Sequence, residues 1–134
     1  MSYMSAPALQ TAVYAVLVGD TALAALVEGV HDAPPPGTPS GTYVVLGAEE
    51  VIDRSDISGP GAEHRFAVQV FSDAPGFLAA KQAAARIAEI LPGVTLALET
   101  GRLVDLWFHQ AQARRLEGGA VRRIELRFRA RIEG

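Results

Sequence analysis

The sequence predicts an α+β fold: a mainly antiparallel four-stranded sheet with helices packed on one face, in the order α-α-β-β-α-β-β, as a single domain over residues 1–134. Three observations predict it. From Arg123 to Glu133 every second residue is charged, while Ile124, Leu126, Phe128, Ala130 and Ile132 alternate with them, the period-two pattern of a strand with one buried face. A slip of one residue would bury Arg123, Glu125, Arg127, Arg129 and Arg131, so the register of this closing strand is strongly specified. Two further β-rich runs supply partners for it, and apolar positions three and four apart in two other regions supply helices to cover its inner face.

Taken in order, Ser5-Ala6-Pro7 reads as a helix start, with a hydroxyl to cap and a proline in the first turn. Leu9, Val13, Val16 and Leu17 then form one stripe, and Gly19 ends it. Asp20 caps a second, shorter helix carrying Leu23, Leu26 and Val27, which Gly29 stops. The segment from Asp32 to Gly41, with Pro34, Pro35, Pro36 and Pro39, is a rigid extended connector, or alternatively a ligand for a proline-binding module. It delivers the chain to a first strand at Tyr43–Gly47.

A polar loop, Asp53–Glu63, projects before the second strand at His64–Ser72, whose inward residues are Phe66, Val68 and Val70. Ser72 or Asp73 caps the next helix, with Pro75 in its first turn. Phe77, Ala80, Ala84, Ile87 and Leu91 form its buried stripe, Lys81, Gln82, Arg86 and Glu89 face water, and Pro92-Gly93 stops it. A short extended piece, Val94–Leu98, precedes the third strand at Leu103–Gln110, which turns Val104, Leu106 and Phe108 inward and Asp105, Trp107 and His109 outward. Gly118-Gly119 turns the chain into the closing strand, making this the longest hairpin of the molecule.

Composition excludes several function classes. The chain has no cysteine, so disulfides, thiol nucleophiles and thiolate zinc sites are excluded. No apolar run approaches the roughly 18–20 residues of a membrane span, so no membrane association is expected. His31, His64 and His109 lack metal-ligand spacing and read as surface or loop residues, and Glu49, Glu50, Asp53 and Asp56 lack the alternating oxygen ladder of a calcium loop. No serine sits in a nucleophile elbow and no glycine run leads from strand to helix, so no catalytic residue, metal or cofactor is assigned.

Charge is the remaining signal. The net charge of −3 divides into −7 for residues 1–63 and +4 for residues 64–134, which suits either nucleic-acid binding by the basic half or copies meeting head to tail. Arg123, Arg127, Arg129 and Arg131, with Glu125 among them, stand about 6.5–7 Å apart along one strand face, close to the phosphate spacing of a nucleic-acid strand. They are candidates for a subunit, tube or lumen interface. Asp53, Arg54, Asp56, Ile57 and Glu63 are candidates for a partner-contacting loop.

Ala8-Leu9-Gln10-Thr11-Ala12-Val13-Tyr14 with Leu23-Ala24-Ala25-Leu26-Val27, a proline-rich connector into Tyr43-Val44-Val45-Leu46-Gly47, a strand ending Val70-Phe71-Ser72, the alanine-rich Ala79–Leu91 and an arginine-rich closing strand form a recognisable succession. It resembles the tail terminators, the small tail-completion proteins of long-tailed bacteriophages and phage-like gene transfer agents. The resemblance implies a virion structural protein without catalysis. Its copies would close into a ring, usually a hexamer, that caps the tail tube protein and joins it to a neck or stopper protein. DNA would pass through without being read. Synthesis in the bacterial cytoplasm and assembly at the head-proximal end of the tail are implied with it. From the residues alone a second reading stands: a monomeric or dimeric module binding nucleic acid or an acidic protein through the arginine strand, with steep salt dependence.

Overall fold

The computed structural model describes residues 2–37, 40–57 and 59–134, with the backbone alone at Ser2. Thr38 and Pro39 of the expected connector, and Ser58 of the expected loop, lie outside the described residues. A short 3-10 helix at Ser2–Ser5 leads into α1 (Ala6–Gly19) and α2 (Thr21–Ala24). These are followed by β1 (Val30–His31), β2 (Thr42–Asp53), β3 (Gly61–Ser72), α3 (Leu78–Ile90), β4 (Arg102–Leu116) and β5 (Val121–Glu133).

The sheet is mainly antiparallel as expected, but the expected four strands and their order are corrected. It has five strands in the order β1-β2-β3-β5-β4, and β1 pairs parallel to β2 through Val30 opposite Val44 and His31 opposite Val45. Two residues are too few to show any period, and this edge is held by tertiary pairing, with the Val44 N–H donating to the Gly29 carbonyl at 3.0 Å. The arginine-bearing β5 lies inside the sheet, paired antiparallel with β3 on one side and β4 on the other.

The register follows the apolar alternation. Phe128 stands opposite both Phe66 and Phe108, with ring centroids 5.6 Å and 5.8 Å away. Leu126 faces Val68 and Ile124 faces Val70 across the β3 ladder, so this side of the sheet is apolar from Phe66 to Val70 and from Ile124 to Phe128. α1 lays Leu9, Val13 and Leu17 on that side and α3 lays Ala80, Ala84 and Ile87 beside them, forming one cluster with Val68, Val70, Leu126 and Phe128. Burial of each large side chain contributes about 1.5–3 kcal/mol.

Local capping departs from the sequence expectation in two places. The Ser5 hydroxyl makes no cap bond, because the preceding turn is already helical there. α3 begins only at Leu78, without a side-chain cap: Ser72 Oγ bonds Thr42 Oγ1 at 2.9 Å and accepts the Ala74 N–H at 3.2 Å, and Asp73 Oδ1 accepts the Gly41 N–H at 3.0 Å. Asp20 does cap α2, accepting the Leu23 N–H at 2.8 Å, and the same carboxylate receives the Arg86 fork at 2.8 and 2.9 Å. Arg86, expected in water, therefore clamps α3 to the α1–α2 corner.

β4 is longer than expected and irregular. The pairing with β5 shifts between Leu103 and Asp105 and again between Phe108 and Gln110. At the first bulge Val104 is the additional residue, which turns it out of the core to 45% exposure and puts Leu103 against the core instead.

Candidate interaction surface

The side of the sheet away from the helices carries Arg123, Arg127, Arg129 and Arg131 of β5; the last three have ion or hydrogen-bond partners there, whereas the Arg123 Nε is buried without one. Arg127 reaches Glu125 at 2.8 Å, Arg131 reaches Glu133 at 3.5 Å, and the Arg129 guanidinium lies 3.8 Å from Glu63 and 3.2 Å from His109 Nε2. Glu63 also accepts from Arg65, and Gln69 donates to Glu125 at 3.2 Å. The Arg65 hydrogen bond, followed by the charges of Arg65 and Arg129, holds the Glu63 carboxyl below its usual range against the opposing effect of burial. For Glu125 burial pushes upward, but hydrogen bonds from Arg127 and Gln69 outweigh it and the net shift is down.

The expected cationic row is therefore a lattice of alternating charge. Only Arg127 has a side chain more than half exposed, at 54%, while Arg129 and Arg131 are at 28% and 24%. A depression of about 360 Å³ on this face is lined by Glu49, Glu50 and Glu125 as well as Arg65, Arg127 and Arg129. Such mixed walls select neither anions nor cations.

The expected loop is shorter than its sequence range. β2 continues to Asp53 and β3 starts at Gly61, so Glu63 belongs to β3 and to the charge lattice, a correction to its assignment in the loop. The remaining tip is folded: the Asp56 and Gly59 backbones exchange hydrogen bonds at 3.0 and 3.2 Å, and Ser55 bonds Asp53. Arg131 Nη1 donates to the Arg54 carbonyl at 3.0 Å, so the end of β5 braces the tip. At Gly61 an added Cβ would fall 2.5 Å from Arg131 Nη2, so a larger residue would push that guanidinium aside. Ile57 stands at the tip, fully exposed.

Two features escaped the sequence reading. His64, expected at the surface, is fully buried on the helix-facing side of β3, with neither ring nitrogen hydrogen-bonded, and burial lowers its pKa. The other is an apolar groove of about 320 Å³ between α3 and the distal half of β4, walled by Ala84, Ala85 and Ala88 on one side and Phe108, Ala111 and Ala113 on the other. Its sequence signal was the run Gln110-Ala111-Gln112-Ala113, where small residues occupy the inward positions and leave a hollow. Beyond it, the outer edge of β4 has no partner strand.

Among the described residues no three histidine, aspartate or glutamate side chains are grouped to hold a metal ion, and no helix is long and apolar enough to cross a membrane. A family profile described as "Tail completion protein gp17" matches residues 11–133. A chain of the solved structure titled "Virion of native gene transfer agent (GTA) particle" superposes with a TM-score of 0.93 at 55% identity, over 99% of this chain and 100% of that one. No curated protein matches. The full-length match of sequence and fold leads to one assignment: the chain belongs to the tail completion protein gp17 family, and is a structural protein of phage-type tails and not an enzyme.

Proposed function

We propose that the chain closes, as a homo-oligomer of six copies, into a ring that caps the tail tube of a phage or gene transfer agent particle. One side of the ring docks on the tail tube protein and the other on a neck or stopper protein, at the head-proximal end of the tail. DNA crosses the opening without being read. The observation that carries this reading is the 55% identity, over 99% of the chain, to a chain of a gene transfer agent virion. The free edge of β4 and the apolar groove beside it support it, since both are surfaces that a lone subunit leaves uncovered.

The charge lattice bears on the roles of the candidate residues. Glu125 and Arg129 hold their places in the sheet through ion pairs, and Arg127 is the member best exposed to meet a neighbour, the tube or the lumen. Ile57 and the folded tip around it form a ready partner contact. The alternative of a nucleic-acid or acidic-protein module loses support from Arg127 to Arg131, where carboxylates pair the guanidiniums, and rests on Arg114 and Arg123 at the hairpin end alone. Negative-stain imaging of the purified protein with tail tubes from the same particle tests the reading. Rings, or caps confined to one tube end, are expected. Free tubes and dispersed subunits, with DNA shifted at low salt, would replace it by the binding-module reading.

A further inference from the structure

We propose that the groove between α3 and β4 receives the β2–β3 tip of a second copy of this chain, with Ile57 as the inserted side chain. This rests on the ring reading above and specifies its interface. Three observations converge on it.

The first is shape. The groove is walled by alanines, floored by Ile124 and Leu126 and bounded by Phe108, which is 41% exposed, so it presents apolar surface in a hollow that the chain's own side chains leave open. The tip is its converse, a folded projection ending in one fully exposed aliphatic side chain.

The second is charge. Lys81 and Arg115 stand over the Phe77 ring at 5.9 and 5.2 Å, next to the groove, and Arg114, Arg122 and Arg123 follow on the same hairpin. The tip and its approach carry Glu49, Glu50, Asp53, Asp56 and Glu63 against Arg54, Arg65 and Arg131, which leaves this end net acidic. Opposite signs at the two ends orient an encounter and exclude tip-to-tip and groove-to-groove pairing.

The third is placement. The groove floor is at Ile124 and Leu126, while the tip adjoins Ile132 and Glu133 through Ala62 and Gly61. Eight residues of strand separate Ile124 from Ile132, about 26 Å by strand rise. One surface at each end of the molecule gives a heterologous, head-to-tail contact, the kind that closes into rings.

The absence of cysteine makes the test clean. Ile57→Cys and Ala111→Cys, both at exposed positions, are prepared separately, mixed on tail tubes and treated with a short bis-maleimide. A covalent dimer in the mixture and in neither variant alone is expected, as is a ladder of higher species from the double variant. Normal caps without the cross-link overturn the pairing and leave the ring standing. An Ala111→Cys link to a different tail protein gives the groove to that protein and likewise overturns it. Failure of the wild type to form any ring or cap removes both readings. As a second measurement, Ala85→Trp fills the groove from its exposed wall and is expected to abolish assembly with an unchanged circular dichroism spectrum. Normal assembly of that variant would also overturn the pairing.

Discussion

At the scale of single residues, His64 and the arginines have clear consequences. His64 is buried neutral, and the Glu49 charge only partly opposes the downward shift that burial causes. The unfolded chain takes up a proton near the ordinary value of 6.5 while the folded one does not, so stability is full above that pH and falls as the pH drops below it. His64→Phe is expected to flatten thermal-melt midpoints between about pH 7 and 5. A variant that keeps the wild-type slope would assign the effect to other groups. The arginines separate by whether charge is kept or reversed. Arg127→Lys keeps a cation beside Glu125 on an exposed side chain and should alter stability by under about 1 kcal/mol. Arg129→Glu sets a second carboxylate against the largely buried Glu63, and a clearly lower urea midpoint is expected than for Arg127→Lys.

At the scale of elements, β5 is the organising strand because both neighbours take their register from it. Phe128 is fully buried between Phe66 and Phe108, and Phe128→Ala should cost about 3–5 kcal/mol in urea unfolding with secondary structure largely kept. The same elements show what the sequence carried. β5, α1 and the α3 stripe were legible because each has a strong period and a buried face, and Leu9, Val13, Leu17, Ala80, Ala84 and Ile87 are buried as that period requires. β1 was illegible at two residues. The full length of β4 was hidden because an edge strand with exposed Gln110, Gln112, Arg114 and Arg115 has no contrast between its faces. Its bulges misdirected the alternation at Val104, whereas His64 shares the inward parity of Phe66, Val68 and Val70, so the period of β3 carried a signal for its burial that residue type obscured. Of the candidate residues, Ile57 lies exposed at the tip, as an apolar residue in a polar loop between strands is placed. Glu63 was misplaced because the strand ladder outlasts the polar stretch.

At the scale of the whole molecule, the uneven charge of the sequence becomes a polarity along the strands. The acidic β2–β3 tip lies at one end and the basic β4–β5 hairpin toward the other. Association driven by this polarity is screened by salt, whereas apolar insertion is not. Oligomer formation on tubes, followed by light scattering or imaging, is expected to slow as salt rises from about 0.05 to 0.5 M, with assembled rings persisting once formed. Rings that dissolve at the higher salt would show the contact to be mainly ionic and would leave Ile57 no anchoring part in it.

The two bulges of β4 also bear on self-association through its open edge. A straight, bare strand of fifteen residues would invite any extended chain to add to it, including copies of itself stacked without end. Bent twice and carrying Arg114 and Arg115 in its distal half, this edge is a poor template for open-ended growth. A strand bent in this way resists edge-to-edge stacking of its own copies.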